Sequence, residues 1–387
     1  MNHRSCLFLP KTQNSGQSAG VYSLKQQIVK GQSRLLEAGC PHPIGALRAR
    51  RLEPAYYLAF PLVVVWLIAC SFSNSMAASK KISLVPGENE ISVKVEERLL
   101  ARYLYAPDPS RPLADKKLVQ TKPVLWPIYS PSGINVTRLF PFQEQAGETK
   151  DHPHHMGLFF TVDRVGGEAN NFWGNSTQPL PAIRHQKILK AEGGKDYATL
   201  QALSHWIGKD GTMLLEENRE MVFRANHENE NWIDFEIRLK AVPEEVEFGD
   251  TKEGMFAFRV AEWLTEKQTG RYLNSNGEWQ EEGVWGKRAD WVRLQGEKEG
   301  KKIGIIILSH PTSLNSPSYW HARGYGCFSL NPLGQLDFQK TLKVADPQPF
   351  NLRLKQGKEA LFKYRVIIYE GDYNKTRVDA LYREFVH

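Results

Sequence analysis

The chain has 387 residues, 41% of them apolar and 24% charged, with a formal net charge of +7. These proportions describe a soluble globular protein able to bury a sizeable core. The charge is concentrated: residues 1–79 carry eight Lys or Arg against Glu37 and Glu53, so +6 lies there and +1 is left for the remaining chain. No whole-domain basic bias points to a nucleic-acid partner.

Arg48, Arg50 and Arg51 precede an uncharged apolar stretch from Tyr56 to Cys70, and small residues follow. This is the layout of an export signal, with an apolar core too short for a bilayer span; a single membrane anchor is the alternative. Two processing sites remain open. The stretch ending in Cys70 resembles a lipoprotein box, in which Cys70 is lipidated and tethers the chain to a membrane. Ser75-Met76-Ala77 before Ala78 suits an ordinary signal peptidase. The expected location is the periplasm or cell envelope. Residues 1–79 then form an over-extended start plus signal outside the fold, and 80–387 a single β-sandwich domain. Of the four cysteines only Cys327 belongs to that domain, which excludes a disulfide framework and a multi-cysteine zinc site.

From residue 80 onward, short runs of β-formers alternate with turn residues. Residues 81–108 contain such runs, broken at Pro86-Gly87, and residues 80 to about 120 form either a small leading unit or edge strands of the main domain. Residues 122–138 follow the same pattern with prolines. Strand-length segments recur at 157–165, 221–226, 232–242, 255–264, 301–311 and 360–372. Helical periodicity is clearest at 375–385. Strands in succession without intervening helices predict an all-β fold: a large antiparallel β-sandwich with a short C-terminal helix.

Three polar clusters interrupt this scaffold. The first holds Asp151, His152, His154 and His155, with Pro153 favouring a loop or edge. Imidazoles suit proton exchange near neutrality or a divalent metal, here with His152, His154 and His321 as ligands, although the spacing matches no standard metal motif. The second cluster, 169–176, offers Asn171 and Trp173 as amide and aromatic partners for a polyhydroxylated ligand. The third, 309–334, contains Trp320, His321, Arg323 and Tyr325; Arg323 suits a carboxylate or developing negative charge, and His321 an acid–base or ligand role. Glu217 with Arg219, and Asp234 with Glu236, share strand faces and read as paired carboxylates or as charge ladders. Nucleophile-elbow, P-loop and dinucleotide glycine motifs are absent.

The segments at 129–138, 151–160, 170–174 and 318–334 together resemble a bacterial family of exported proteins labelled "methane oxygenase PmoA-like", over most of residues 82–385. The resemblance implies an exported protein associated with carbohydrate breakdown, and by analogy a galactose-mutarotase-like sandwich. The expectation is a glycoside hydrolase or lyase acting on an oligosaccharide or modified sugar. His154 or His155 is the general acid–base, His321 its partner or a metal ligand, and Asp151 the holder of one imidazole tautomer. Arg138, Arg323, Asn171, Trp173, Trp320 and Tyr325 bind substrate, and a divalent metal is the candidate cofactor. The alternatives are a non-catalytic carbohydrate-binding protein and a structural lipoprotein of the envelope.

Overall fold

The structure, a computed structural model, describes residues 80–387 apart from 175–177, 179 and 228. The export signal and Cys70 lie outside the described residues.

Two antiparallel sheets of nine and eight strands dominate the described chain. The nine-stranded sheet runs from the edge strand Tyr319–Ala322 through Cys327–Asn331, Gly254–Arg259, Leu158–Val162 and Val124–Ile128, then to Arg98–Leu104, Glu90–Val95, Lys81–Pro86 and the short edge strand Gly194–Lys195. The first three strands in chain order thus continue the same sheet as Val124–Ile128. The eight-stranded sheet is built on long pairs, Met213–His227 with Glu230–Ala241 and the latter with Glu359–Glu370. Helix Lys375–Val386 packs across its outer face through Val378 and Leu381 against Trp291 and Ile367. The expected all-β antiparallel sandwich with a short C-terminal helix is what the chain forms.

Side chains on a strand alternate between faces, and this sheet uses both. Leu158, Phe160, Phe256, Phe258, Phe328, Leu330 and Trp320 point inward and join Ile233, Phe235, Val366 and Tyr364 of the facing sheet in one core. The intervening residues, Val124, Phe159, Ala257 and Cys327, form a second cluster with Trp126, Met156 and Trp173. That outer face is covered by loops, and one of them carries the histidines.

The charge pairs divide by face. Glu217 and Arg219 are buried, 2.6 Å apart, with the Trp206 indole donating to Glu217. Asp234 pairs with Arg224 and Arg365, and Glu236 with Arg238 and Lys363, as ladders on the outer face of the eight-stranded sheet. Neither pair reaches the histidines.

Candidate functional site

The row of paired residues Val124, Phe159, Ala257, Ser329 and His321 crosses five strands on one face. Two residues along, Arg259 pairs with Cys327 on the same face. Onto this floor the chain lays the segment 148–157. The His155 amide donates to the His152 carbonyl at 3.0 Å, closing a turn over His152-Pro153-His154-His155, with proline where its fixed φ suits the turn. Gly157, at φ +58, ends the loop where an added Cβ would lie 2.3 Å from the Leu125 carbonyl oxygen. Only glycine fits there.

The turn gathers the three imidazoles. His154 stands edge-on to His155 at 4.3 Å between centroids and to His152 at 5.8 Å. His152 lies parallel to Tyr325 at 4.8 Å and to His155 at 5.0 Å. Tyr325 comes from the 323–326 loop, so the first and third clusters meet in space.

Two buried arginines hold the turn from beneath. Arg138, fully buried, donates to the Phe140, Asp151, His152 and His155 carbonyls and to the Asp151 carboxylate at 2.8 Å. Arg259, 1% exposed, donates to the same carboxylate oxygen at 2.6 Å and lies 4.9 Å from the Tyr325 ring centre. Burial alone would raise the Asp151 carboxyl, but Arg259, the His152 hydrogen bond and Arg138 outweigh it and keep the group below its ordinary value. Asp151 is therefore a carboxylate at neutral pH. It can only accept, so the 2.9 Å contact with His152 Nδ1 fixes the imidazole proton on Nδ1. In the neutral ring the acceptor is then Nε2, on a half-exposed side chain. His152 itself sits at φ +42, a region costly for a non-glycine residue and common at functional sites.

The other imidazoles differ. Burial, reinforced by Lys122, His152, Arg138 and Arg259, pushes His154 down to about 3. Burial, with His154 and Arg259 adding to it, pushes His155 well below its ordinary value. His321, 3% exposed, is likewise pushed down to about 3 by burial, then by Arg323. All three are neutral near pH 7. His321 accepts from the Trp285 indole at 3.3 Å; it shares the sheet face and the electrostatic field of His152 without a ring contact to the turn.

Several expected roles need correction. Arg138 cannot orient substrate: it is fully enclosed and its donors hold the histidine turn. Trp320 is inward-facing and fully buried, its indole donating to the Ala289 carbonyl at 2.9 Å; alternation along its strand turns His321, and not Trp320, to the outer face. Trp173, 3% exposed, walls the site against His155 and Phe159 and offers no open ring face. Asn171 accepts from the Gly174 amide at 2.7 Å and shapes its own turn. Asp151 holds the tautomer of His152, and not that of His154 or His155. Among the described residues no three His, Cys, Asp or Glu side chains converge as a metal requires, so His152, His154 and His321 do not form a ligand set. Arg323 and Tyr325 stay at the rim, with Arg323 2.8 Å from Glu281 and 5.8 Å from the Tyr325 ring centre.

Two site residues were not anticipated. Arg259 carries a signal, a charge inside the apolar strand Gly254–Arg259. Lys122 has almost none. Its ammonium, 2% exposed, donates to the Trp173 carbonyl at 2.8 Å and lies 5.2 Å from the Phe159 ring centre. Burial pushes it down to about 7.

No curated protein matches the sequence. Among solved structures, the chain is similar to a heparan sulfate lyase HepC mutant from Pedobacter heparinus, at 12% identity and a TM-score of 0.32, covering 77% of this chain and 36% of that one. It is also similar to a GalM/aldose epimerase homologue from C. elegans, at 8% identity and a TM-score of 0.33, covering 76% of this chain and all of that one. The chain thus spans about a third of the lyase's length. The resemblance to the PmoA-like proteins does not hold. The described residues form a two-sheet sandwich in which no helix is long and apolar enough to cross a membrane, and a different family is matched. Residues 90–383 fit the sequence profile described as "Family of unknown function (DUF6807)", and the chain belongs to that family.

Proposed function

We propose that this protein is a carbohydrate-active enzyme of the hydrolase or lyase type, with His152 as the general base and Asp151 as its partner. The observation that carries the reading is the Asp151–His152 pair. A carboxylate anchored by two buried arginines holds one imidazole tautomer, at a left-handed backbone position, on a half-exposed ring above the outer face of the sheet. Such anchoring fixes the Nε2 lone pair in direction, as proton abstraction from a bound substrate requires. The flanking groups suit a polyol. Tyr325 supplies an aromatic face and a hydroxyl, Arg323 supplies donors, and neutral His154 can donate and accept.

In this scheme Nε2 takes a proton from a sugar carbon, a hydroxyl or a water, and the Asp151 carboxylate stabilises the imidazolium that forms. His155 and His321, buried and neutral, position the turn and the rim and do not exchange protons. The test is turnover on a polysaccharide panel by His152→Ala and Asp151→Asn proteins whose folding is checked by circular dichroism. Loss of turnover in both supports the assignment. Undiminished turnover in a folded His152→Ala protein rejects it, and saturable binding with no turnover in the wild type gives the site to a binding protein.

A further inference from the structure

We infer that the site takes an anionic saccharide, whose carboxylate or sulfate is held between Lys122 and Arg259 beside His154. The inference rests on the carbohydrate reading and names the substrate class within it.

Burying a charge is costly unless it is paired and hydrogen-bonded. Lys122 is buried with a single hydrogen bond, to a neutral carbonyl, and no described carboxylate lies within ion-pair distance of it. Arg259 is buried with Nη2 on Asp151 while its Nε and Nη1 have no hydrogen-bond partner. The two cations border one cluster of side chains: Lys122 donates to the Trp173 carbonyl, Trp173 packs on His155 at 5.3 Å, and His155 lies 6.3 Å from Tyr325, over whose ring Arg259 sits at 4.9 Å. The same pocket of side chains contains further unpartnered buried atoms: the Trp173 indole Nε1 and both ring nitrogens of His155. Buried polar groups in folded proteins are normally satisfied, and here the unsatisfied ones are clustered and mostly donors.

The charge balance agrees. Asp151 is the carboxylate bonded to Arg138 and Arg259. Glu148, which also acts on Arg138, is held on the Leu139 and Phe140 amides. Glu253 acts on Tyr325 and Cys327. Arg323 is balanced by Glu281. Lys122 is left without an acid of its own, and an anionic sugar substituent supplies one. Lys122 also lines a cavity of about 310 Å³ with Tyr105, Thr121 and His185, so space for a ligand adjoins it.

The test is calorimetric titration of the full chain at pH 6 and low salt. The ligands are oligogalacturonates and oligoalginates, each beside its carboxyl-reduced counterpart, and sulfated galactan oligosaccharides beside their desulfated counterparts. The expected result is that one acidic class binds at least about tenfold tighter than its neutral counterpart, and that Lys122→Met abolishes the preference without lowering the melting temperature at that pH. The pair that shows the preference tells carboxylate from sulfate. Equal binding of acidic and neutral forms overturns the inference and leaves the carbohydrate reading standing. Binding of neither form overturns both. A preference that survives in Lys122→Met overturns the placement of the anion at Lys122.

Discussion

Replacing Lys122 by methionine keeps the side-chain stem beside Phe159 and removes the ammonium, so it isolates the buried charge. The folded amine is pushed down to about 7 from an ordinary 10.5 by burial. That difference corresponds to a pH-dependent stability term on the order of 5 kcal/mol. Below pH 7 the amine is charged in both folded and unfolded chains, and its burial destabilises the fold by that amount. Between 7 and 10.5 the unfolded chain binds more protons than the folded one, so wild-type stability rises with pH. Above 10.5 the amine is neutral in both states and the penalty is gone. Methionine removes the penalty but leaves the Trp173 carbonyl without its donor, at about 1–3 kcal/mol. The variant is therefore expected to be more stable than wild type by about 2–4 kcal/mol below pH 7, and less stable by about 1–3 kcal/mol above 10.5. Urea denaturation of both proteins from pH 6 to 10.5 measures the difference directly. Profiles that run parallel over this interval would refute the reasoning, because they would mean that the amine titrates alike in folded and unfolded chains.

Other expectations are simpler. His152→Ala should reduce kcat on a responsive saccharide by about 10²–10⁴ with the fold intact, read by steady-state kinetics; a change of less than threefold would remove His152 from the chemistry. Gly157→Ala should destabilise the protein by well over about 1 kcal/mol, because the position combines positive φ with backbone contact; an unchanged urea midpoint would contradict the close approach. Burial pushes the Cys327 thiol up to about 12, so iodoacetamide at pH 8 should label it slowly in the native protein and rapidly in urea, as followed by peptide mass spectrometry. Equal labelling rates would mean that the outer-face cluster is open.

The strand alternation was legible where one face is buried in the common core and the other is more open, as in Glu90–Val95 and the second half of Glu230–Ala241, whereas Leu158–Val162 and Gly254–Arg259 are buried on both faces and read as apolar runs. The turn at His152–His155 was also legible, through Pro153 and the density of imidazoles. What the letters did not show is direction. Trp320 and His321 are neighbours in sequence, and the pleat sends one into the core and the other to the site. Arg138 resembles a substrate ligand until the fold closes segment 148–157 over it, a contact set by loop packing. Lys122 precedes a short apolar strand without distinction, and its burial depends on Trp173 folding over it from some fifty residues away. Arg259 was the detectable omission, since a charge within an apolar strand must find a partner.

In the proposed complex a saccharide is held over the Asp151–His152 pair on the outer face of the nine-stranded sheet. A crystal structure of the protein soaked with the tightest-binding oligosaccharide tests it most directly. A sugar ring is expected against His152 and Tyr325, with a polar group within hydrogen-bond distance of His152 Nε2. A sugar seated on another face of the protein, with His152 and Tyr325 bare, would overturn it.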